Sequence, residues 1–277
     1  MGVSMIPTVD IGFVFALRQE SVGILDRLKN LRKTRGNGRV FYTGKMDAGT
    51  IGSLSIALVH SGVGQKNAEE ATKILIDVFA PQAVCSAGYA GGLSPRLKRF
   101  TICVPEQILR KSDCQTLDVS VPIPKITPQM PEKLTLLTVN DVVELPAQKR
   151  ILHEQTGAEL VDMETFAVAD VCRCCGVPFF SFRVILDAID DRIPRDIACI
   201  LKHAGVSTLR LSGAVLGSVC LRPSAVLDLF SLKRRAYAAA ERLAQFTLRE
   251  FSRRETAACR ALTTEPKMPK GSDGEQD

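Results

Sequence analysis

Two acids stand at the head of an apolar helical pattern in the segment ELVDMETFAVADVCRCC, residues 159–175: Asp162 and Glu164. If a helix begins near Met163, helical periodicity places Glu164 on one face with side chains that are mostly apolar. Those side chains are Ala167, Val168, Val171, Cys172 and Cys175. An acid at the head of a buried face is either a first-turn residue that the helix dipole favours or a group that faces a site. The periodicity leaves both interpretations open.

A second group of acids follows the apolar run FRVIL and consists of Asp187, Asp190 and Asp191. Asp187 comes directly after the run, at the expected mouth of a sheet crevice. Partial desolvation there raises the pKa of a carboxyl group and lets it donate a proton. Asp190 and Asp191 fit better as helix or turn caps. Oxygen ligands without a nearby histidine would suit magnesium or calcium, but we expect no metal site.

Glu20 occupies a comparable position after the first apolar run, and two later runs end in glycine-rich segments, SGVGQKNA (61–68) and SAGYAGGLSP (86–95). Both are expected to be turns whose bare backbone can approach a sugar or an anion, the first of them at a helix N-terminus. Neither contains G-x-x-x-x-G-K-[ST] or G-x-G-x-x-G. His60, just before the first segment, is interpreted as structural.

Strand-like and helix-like runs alternate along the chain. The predicted strands are 9–17, RVFYTGKMDAG, LSIALVHSGVG, PQAVCSAGYAGGLSP, RFTICVPEQIL, LTLLTV and VPFFSFRVILDAID. The predicted helices are the run marked by Val22, Leu25, Leu28 and Leu31, then QKNAEEATKILIDVF, NDVVELPAQKRILHE, the segment that ELVDM opens, and about 196–219 and 224–255. This alternation predicts an α/β sandwich with a mostly parallel or mixed sheet. Ligands bind such sheets beyond the carboxyl ends of the strands, which points to 17–20, 61–66, 88–94 and 186–191.

The length and composition of the chain limit its possible domain organisation. Apolar residues make up 45% of the 277 residues and tryptophan is absent, which suits an aliphatic core around a buried sheet. We expect a short N-terminal tail (1–8), a single domain (9–256) and a disordered C-terminal tail (257–277). The Pro-rich stretch 121–133 is predicted to be an irregular loop.

The remaining counts exclude several classes of protein. Without a leader-like or bilayer-spanning apolar run, we expect a soluble, cytoplasmic protein with no membrane partner. The nine cysteines then indicate reduced thiols, and the single CxxC pair, Cys172 and Cys175, indicates packing rather than zinc binding. The net charge of +6 is concentrated between Lys202 and Arg254, with ten Lys and Arg against three acids. We interpret this region as a solvated face and expect no nucleic-acid partner.

Taken in order, these segments resemble the purine nucleoside phosphorylase and nucleosidase superfamily, and most closely its methylthioadenosine/S-adenosylhomocysteine nucleosidase branch. IGFVFALRQE is similar to the opening strand and glutamate of that branch, and VHSGVGQKNAEEAT to its SGIGKVNAA-type segment. CSAGYAGGL resembles the TGSAGGL loop, VDMETFAVADVC the VEMEA-type segment, and FRVILDAID the VRAISD motif. Five motifs in register over about residues 9–220 make the resemblance specific.

The resemblance implies a three-layer α/β/α sandwich with a central mixed sheet, a nucleoside substrate, no cofactor and a homodimer. It gives Glu20 the place of the glutamate that activates water and Asp187 the place of the acid that protonates N7 of the leaving purine. The implied substrate-binding residues are Met163 and Glu164 at the ribose, Val143 near the base, and Tyr89, Ala90 and Gly91 in the glycine loop.

The chain also departs from the nucleosidase pattern. Tyr89 replaces a serine in the glycine loop, Leu186 replaces the serine that orients the general acid, and Asp162 shortens the first glutamate of the VEMEA-type segment. Val143 and Glu144 stand where the family has its purine-contacting pair. Two alternatives therefore stay open: a phosphorylase, including the hopanoid-associated type, with Arg18 and Lys66 near an anion, and an inactive nucleoside-binding homologue.

Overall fold

The computed structural model describes residues 8–49, 52–120, 134–193 and 224–252, with the side chains of the last range described from 233 onward. The described strands are β1 (Ile11–Phe15), β2 (Lys29–Gly36), β3 (Arg39–Asp47), β4 (Ser53–His60), β5 (Ala83–Gly92), β6 (Ile102–Cys103), β7 (Gln107–Arg110), β8 (Thr116–Asp118), β9 (Thr135–Thr138), β10 (Leu160–Asp162) and β11 (Phe179–Asp187). The described helices are α1 (Arg18–Leu25), α2 (Gln65–Phe79), α3 (Pro146–Thr156), α4 (Thr165–Cys175) and α5 (Ser224–Ser252).

The strands form one mixed sheet in which β5 has a central place. The main order is β2-β3-β4-β1-β5-β10-β9-β7-β8, and β11 pairs with β5 and β6. Strands β4, β1, β5 and β11 are mutually parallel neighbours, so their carboxyl ends lie at the same edge of the sheet. Glu20 and the segment SGVG follow two of these ends, whereas Gly91 and Asp187 lie within the last two residues of β5 and β11.

Helices cover both faces of this sheet. Successive side chains of a strand point to opposite faces, so apolar residues on both faces need a covering layer. Phe13 and Phe15 of β1 belong to a core that includes residues of α1 and α5, whereas Val14 belongs to a core formed with α2 and α4. The three-layer α/β/α arrangement with a mixed sheet, implied by the family resemblance, is confirmed.

The first predicted helix is wrong beyond Leu25, where α1 ends. Leu31 lies instead in β2, an exposed strand that pairs antiparallel with β3 at the end of the sheet. The sequence of β2, KNLRKTRG, lacks the apolar alternation of a half-buried strand because no layer covers it. Charged side chains on such an edge also oppose pairing with other chains.

Three further expectations need correction. The segment SAGYAGG is not a turn but continues β5 as far as Gly92, and RFTICVPEQIL forms two short strands rather than one. Helix α4 begins at Thr165, with Glu164 as its N-cap, and Cys175 is exposed rather than part of the buried face.

Helix α5 agrees with the segment predicted at 224–255. The predicted loop 121–133, the predicted helix 196–219 and the C-terminal tail lie outside the described residues. All six cysteines of the described ranges are free, and Cys85, Cys103 and Cys172 among them are buried. Within those ranges, no helix is both long enough and apolar enough to cross a bilayer.

Candidate active site

Glu20 lies in the first turn of α1, directly beyond the carboxyl end of β1, and is almost completely buried. Its Oε2 accepts a hydrogen bond of 2.8 Å from the Leu17 N–H, and its Oε1 accepts one of 2.9 Å from the Tyr89 N–H on β5. Burial raises the pKa of Glu20, while these hydrogen bonds and Arg183 oppose the rise. Each carboxylate oxygen keeps a second lone pair, so the group can still accept a proton.

Gly88 lets this carboxylate approach β5. A Cβ atom at position 88 would lie 2.5 Å from Glu20 Oε1 and 2.7 Å from Arg183 Nη1. Real Cβ atoms do not approach other heavy atoms so closely. The glycine that the sequence suggested for contact with a ligand thus makes room for two charged side chains of the protein itself.

Arg183 and Asp162 form a buried ion pair beneath the site. Arg183 Nη2 lies 3.0 Å from Asp162 Oδ2, and the two side chains are 4% and 2% exposed. The guanidinium also donates to the hydroxyl groups of Ser86 and Thr165. Asp162 accepts hydrogen bonds from the Thr138 hydroxyl (2.8 Å) and the Thr165 N–H (3.0 Å). These contacts fix the end of β10 and the start of α4 against β11.

Glu164 connects the start of α4 to the glycine-rich segment before α2. Its Oε1 accepts a hydrogen bond of 2.6 Å from the Gly64 N–H, the N-cap residue of α2, and its Oε2 accepts one of 3.2 Å from the Met163 N–H. Burial, together with the charges of Asp162 and Glu20, raises the pKa of Glu164 to about 8. Glu164 is thus the N-cap residue of α4, although its side chain accepts no hydrogen bond from that helix, and its charge interacts with those of Asp162 and Glu20.

Asp187 ends β11 opposite Gly91 of β5, at a bulge that interrupts the register after Ile185. Bulges re-aim the side chain that follows them. A Cβ atom on Gly91 would lie 3.2 Å from Asp187 Oδ2, so the carboxyl group approaches bare backbone. Gly91 lies two residues beyond Tyr89, which corresponds to about 7 Å along a strand. Strand β5 therefore carries contacts to both Glu20 and Asp187.

Lys149 of α3 holds Asp187. Its side chain is completely buried, and its ammonium group contacts Asp187 Oδ2 and donates to the carbonyl oxygens of Ala188 (2.7 Å) and Asp191 (3.0 Å). Burial raises the pKa of Asp187, and the charge of Lys149 opposes that rise. The predicted general acid thus has a cationic partner.

The three predicted residues of the glycine loop point in different directions. The Tyr89 side chain packs on the core under α5, where its hydroxyl donates to the Ala236 carbonyl over 2.8 Å. Ala90 is buried in the opposite core, while Gly91 lies against Asp187. The Tyr89 contact with an acid is therefore made by its backbone N–H.

Met163 and Val143, the predicted ribose and base contacts, pack against the same small apolar cluster. Val143 also lines a cavity of about 440 Å³ between α3 and the segment after β9, with polar walls that include Gln65, Asn140 and Gln148. The acids Glu20, Glu164 and Asp187 do not line this cavity.

His60 lies near Glu20 but takes no part in the hydrogen bonds of the Glu20 carboxyl group. Its Nε2 is 2.7 Å from the Ser21 hydroxyl, and its ring packs edge-on against Tyr42. Burial and the charge of Arg18 lower the pKa of His60 to about 4. The neutral ring fits the structural role expected for it.

Sequence reasoning missed two charged residues of this site. Arg183 left a signal, because it is the one charged side chain inside the apolar run FFSFRVIL. Lys149 left none, since a lysine in an amphipathic helix normally faces water. Among the described residues, no group of three or more His, Cys, Asp and Glu side chains is arranged to hold a metal ion.

Comparison with known proteins agrees with the resemblance. The methylthioadenosine/S-adenosylhomocysteine nucleosidase of Pseudoalteromonas translucida is 24% identical over 234 residues, which cover 75% of this chain and 97% of the relative. The enzyme of the same name from Halalkalibacterium halodurans is 27% identical over 232 residues, or 75% of this chain and 97% of the relative.

Solved structures show the same fold. The S. pneumoniae methylthioadenosine/S-adenosylhomocysteine nucleosidase with a transition-state inhibitor superposes with a TM-score of 0.63 at 16% identity, covering 88% of this chain and 98% of that one. The futalosine hydrolase of Helicobacter pylori gives 0.61 at 19% identity, covering 88% and 96%. The sequence model of the Phosphorylase superfamily matches residues 10–135 and 130–211, so the chain belongs to that superfamily.

Proposed function

We propose that this protein hydrolyses the N-glycosidic bond of a purine nucleoside, with a 5′-substituted adenosine such as methylthioadenosine or S-adenosylhomocysteine as its substrate. The observation that carries the proposal is Glu20: a buried carboxylate, held by two backbone N–H groups beyond the ends of β1 and β5. The nucleosidase names of the relatives support the same reaction.

The proposed chemistry uses the acids in separate roles. Cleavage moves the electron pair of the glycosidic bond onto the purine and leaves an oxocarbenium-like sugar. Asp187 donates a proton to N7, which makes the purine a better leaving group. Water attacks the anomeric carbon and gives a proton to Glu20, whose raised pKa suits a general base. Nearby carboxylates stabilise the positive charge that develops on the sugar.

Substrate binding is assigned to the residues around these acids. Glu164 has lone pairs left for the ribose hydroxyls, and Met163 packs beside it under the sugar. Val143 shares the apolar cluster of Met163 and is assigned to the base. Gly91 and Ala90 offer backbone to the substrate, and for Tyr89 we assign only the backbone because its side chain is directed at α5.

A phosphorylase would need an anion site near the attacked carbon. The Gly64 N–H at the start of α2 is the natural donor for phosphate, but Glu164 already accepts its hydrogen bond. Glu20 adds a second carboxylate that repels phosphate. Water is therefore the favoured nucleophile, although the superfamily includes phosphorylases by name.

The reaction is tested by incubating the protein with methylthioadenosine, S-adenosylhomocysteine and adenosine, with and without phosphate. We expect release of free base and free sugar without phosphate. Sugar 1-phosphate formed only with phosphate would identify a phosphorylase, and binding without turnover an inactive homologue. Glu69→Gln, a change at an exposed acid of α2, is the matched control for changes at Glu20.

We also propose that the protein is a cytoplasmic homodimer, as the resemblance implies. Its oligomeric state is measured by light scattering on the full chain, and its location by fractionation of the cells that produce it. A monomer at micromolar concentration would contradict the first expectation.

A further inference from the structure

Lys149 is an unusual residue for the inside of a protein. It is completely buried, and its three N–H bonds are directed at Asp187, the Ala188 carbonyl and the Asp191 carbonyl. Moving an ammonium group out of water is costly unless it is paired and hydrogen-bonded. The three acceptors offset that cost, and one of them is the carboxyl group assigned to proton donation.

The neighbour of Asp187 in the strand gives it no such support. Leu186 packs on the core beneath α5, away from the Asp187 carboxyl group. The hydrogen bond that holds Asp187 comes instead from α3, 38 residues earlier in the chain. Asp187 is 17% exposed on its side chain, so it separates the buried ammonium from the open side of the site.

We propose that Lys149 is a positioning residue for Asp187, which orients the carboxyl group towards the purine. The proposal rests on the proposed function, because it assigns Lys149 a part in the same proton transfer.

Other charges also face Asp187. Asp191, from the turn after β11, opposes its ionisation, and Arg99, from the segment before β6, favours it. Arg99 is paired with Asp191, so these two charges largely compensate each other. Lys149 is the cation in direct contact, and its effect is therefore the larger one.

The direction of the change in the pH profile follows from the role of Asp187 as a proton donor. Asp187 must carry a proton to donate it, so kcat/KM falls as pH rises above the pKa of Asp187. A cation in contact lowers the pKa of a carboxyl group by about 1–3 units. Removing Lys149 therefore moves the alkaline fall of kcat/KM to higher pH. A lysine whose charge does not act on the proton donor would leave that position unchanged.

The test compares pH profiles of kcat/KM for the full-length protein and two variants. Lys149→Met removes the charge and the hydrogen bond, whereas Lys149→Gln removes the charge and keeps a donor. We expect the alkaline fall to move up by about 1–3 pH units in both, with a greater loss of kcat in Lys149→Met. Lys73→Met, at an exposed lysine of α2, is the control and should move nothing. An unmoved profile in folded Lys149 variants would overturn the proposal.

A second measurement needs no turnover. The side-chain carboxyl ¹³C resonance of Asp187, assigned by its loss in Asp187→Asn, is titrated in the unmodified protein and in Lys149→Met. We expect Asp187 to titrate at a higher pH in Lys149→Met, and the same titration in both proteins would contradict the proposal. This readout does not depend on catalysis. If the protein lacks nucleosidase activity, the proposed function is refuted, but the effect of Lys149 on Asp187 can still be measured.

Discussion

Glu164 Oε1 accepts a hydrogen bond of 2.6 Å from the backbone N–H of Gly64, 100 positions away in the chain. This contact joins the N-cap of α4 to the N-cap of α2, and it places a carboxylate where a helix N-terminus favours negative charge. The same carboxylate lies close enough to Asp162 and Glu20 for their charges to raise its pKa. The N-terminus of α2 therefore binds the Glu164 carboxyl group, whereas the charges of its acidic neighbours oppose its ionisation.

Glu164 should make the stability of the protein depend on pH. Its folded-state pKa of about 8 lies above the ordinary value, so the folded state binds more protons than the unfolded state over that interval. The free energy of unfolding then falls as pH rises towards 8, by up to about 1.4 kcal/mol per pH unit. Urea unfolding of the unmodified protein and of Glu164→Gln at pH 5, 6, 7 and 8 measures the difference. Parallel curves for the two proteins would show that Glu164 titrates normally.

Glu20→Gln should cut turnover by at least about a hundredfold, because an amide cannot take a proton from water. It should also destabilise the protein by about 1–3 kcal/mol, since the amide NH₂ must face the N–H of Leu17 or Tyr89. Rates of base release and thermal unfolding measure the two effects separately. Turnover close to that of the Glu69→Gln control would remove Glu20 from the mechanism.

Gly88→Ala should disturb both charged groups beside it. The new Cβ atom would overlap Glu20 Oε1 and Arg183 Nη1, and relief of such overlaps typically costs about 1–3 kcal/mol. We expect lower stability and a loss of turnover, because Glu20 must leave its position. Gly36→Ala is the matched control, since no atom lies within 4 Å of a Cβ there. Equal stability of the two variants would show that the described packing around Gly88 is wrong.

Arg183→Met should destabilise the protein by about 3–5 kcal/mol, because it leaves the Asp162 carboxylate buried without its cation. Adding Asp162→Asn removes that unpaired charge, so the double variant should be more stable than Arg183→Met alone. Chemical unfolding of both single variants and the double variant gives the coupling between the two residues. Additive effects would mean that the ion pair contributes nothing of its own.

The sequence was informative where a local pattern has one physical explanation. The apolar runs of β1, β4, β5 and β11 are long and uncharged apart from Arg183, because both faces of these strands are covered. Acids placed directly after such runs had to lie at one edge of the sheet. Glu20 and Asp187 were identified as candidates in this way, and Glu164 by its place at the head of an apolar helix.

Local patterns failed where solvent or a neighbouring element decides the structure. Strand β2 carries charged side chains throughout and is a strand because β3 offers it a partner, which no spacing of apolar residues reveals. The family resemblance placed Tyr89 at the substrate without giving the direction of its side chain, which strand alternation and the position of α5 direct to the Ala236 carbonyl.

The sequence by itself determined the α/β class, the order of the motifs and the acids that meet at the carboxyl edge of the sheet, because apolar periodicity and strand ends are local properties. Only the tertiary structure decided which partners the acids have. Asp162 meets Arg183, and Asp187 meets Lys149, through contacts between elements that are distant in the chain. Their burial and pairing depend on the packing of α3 and α4 against the sheet.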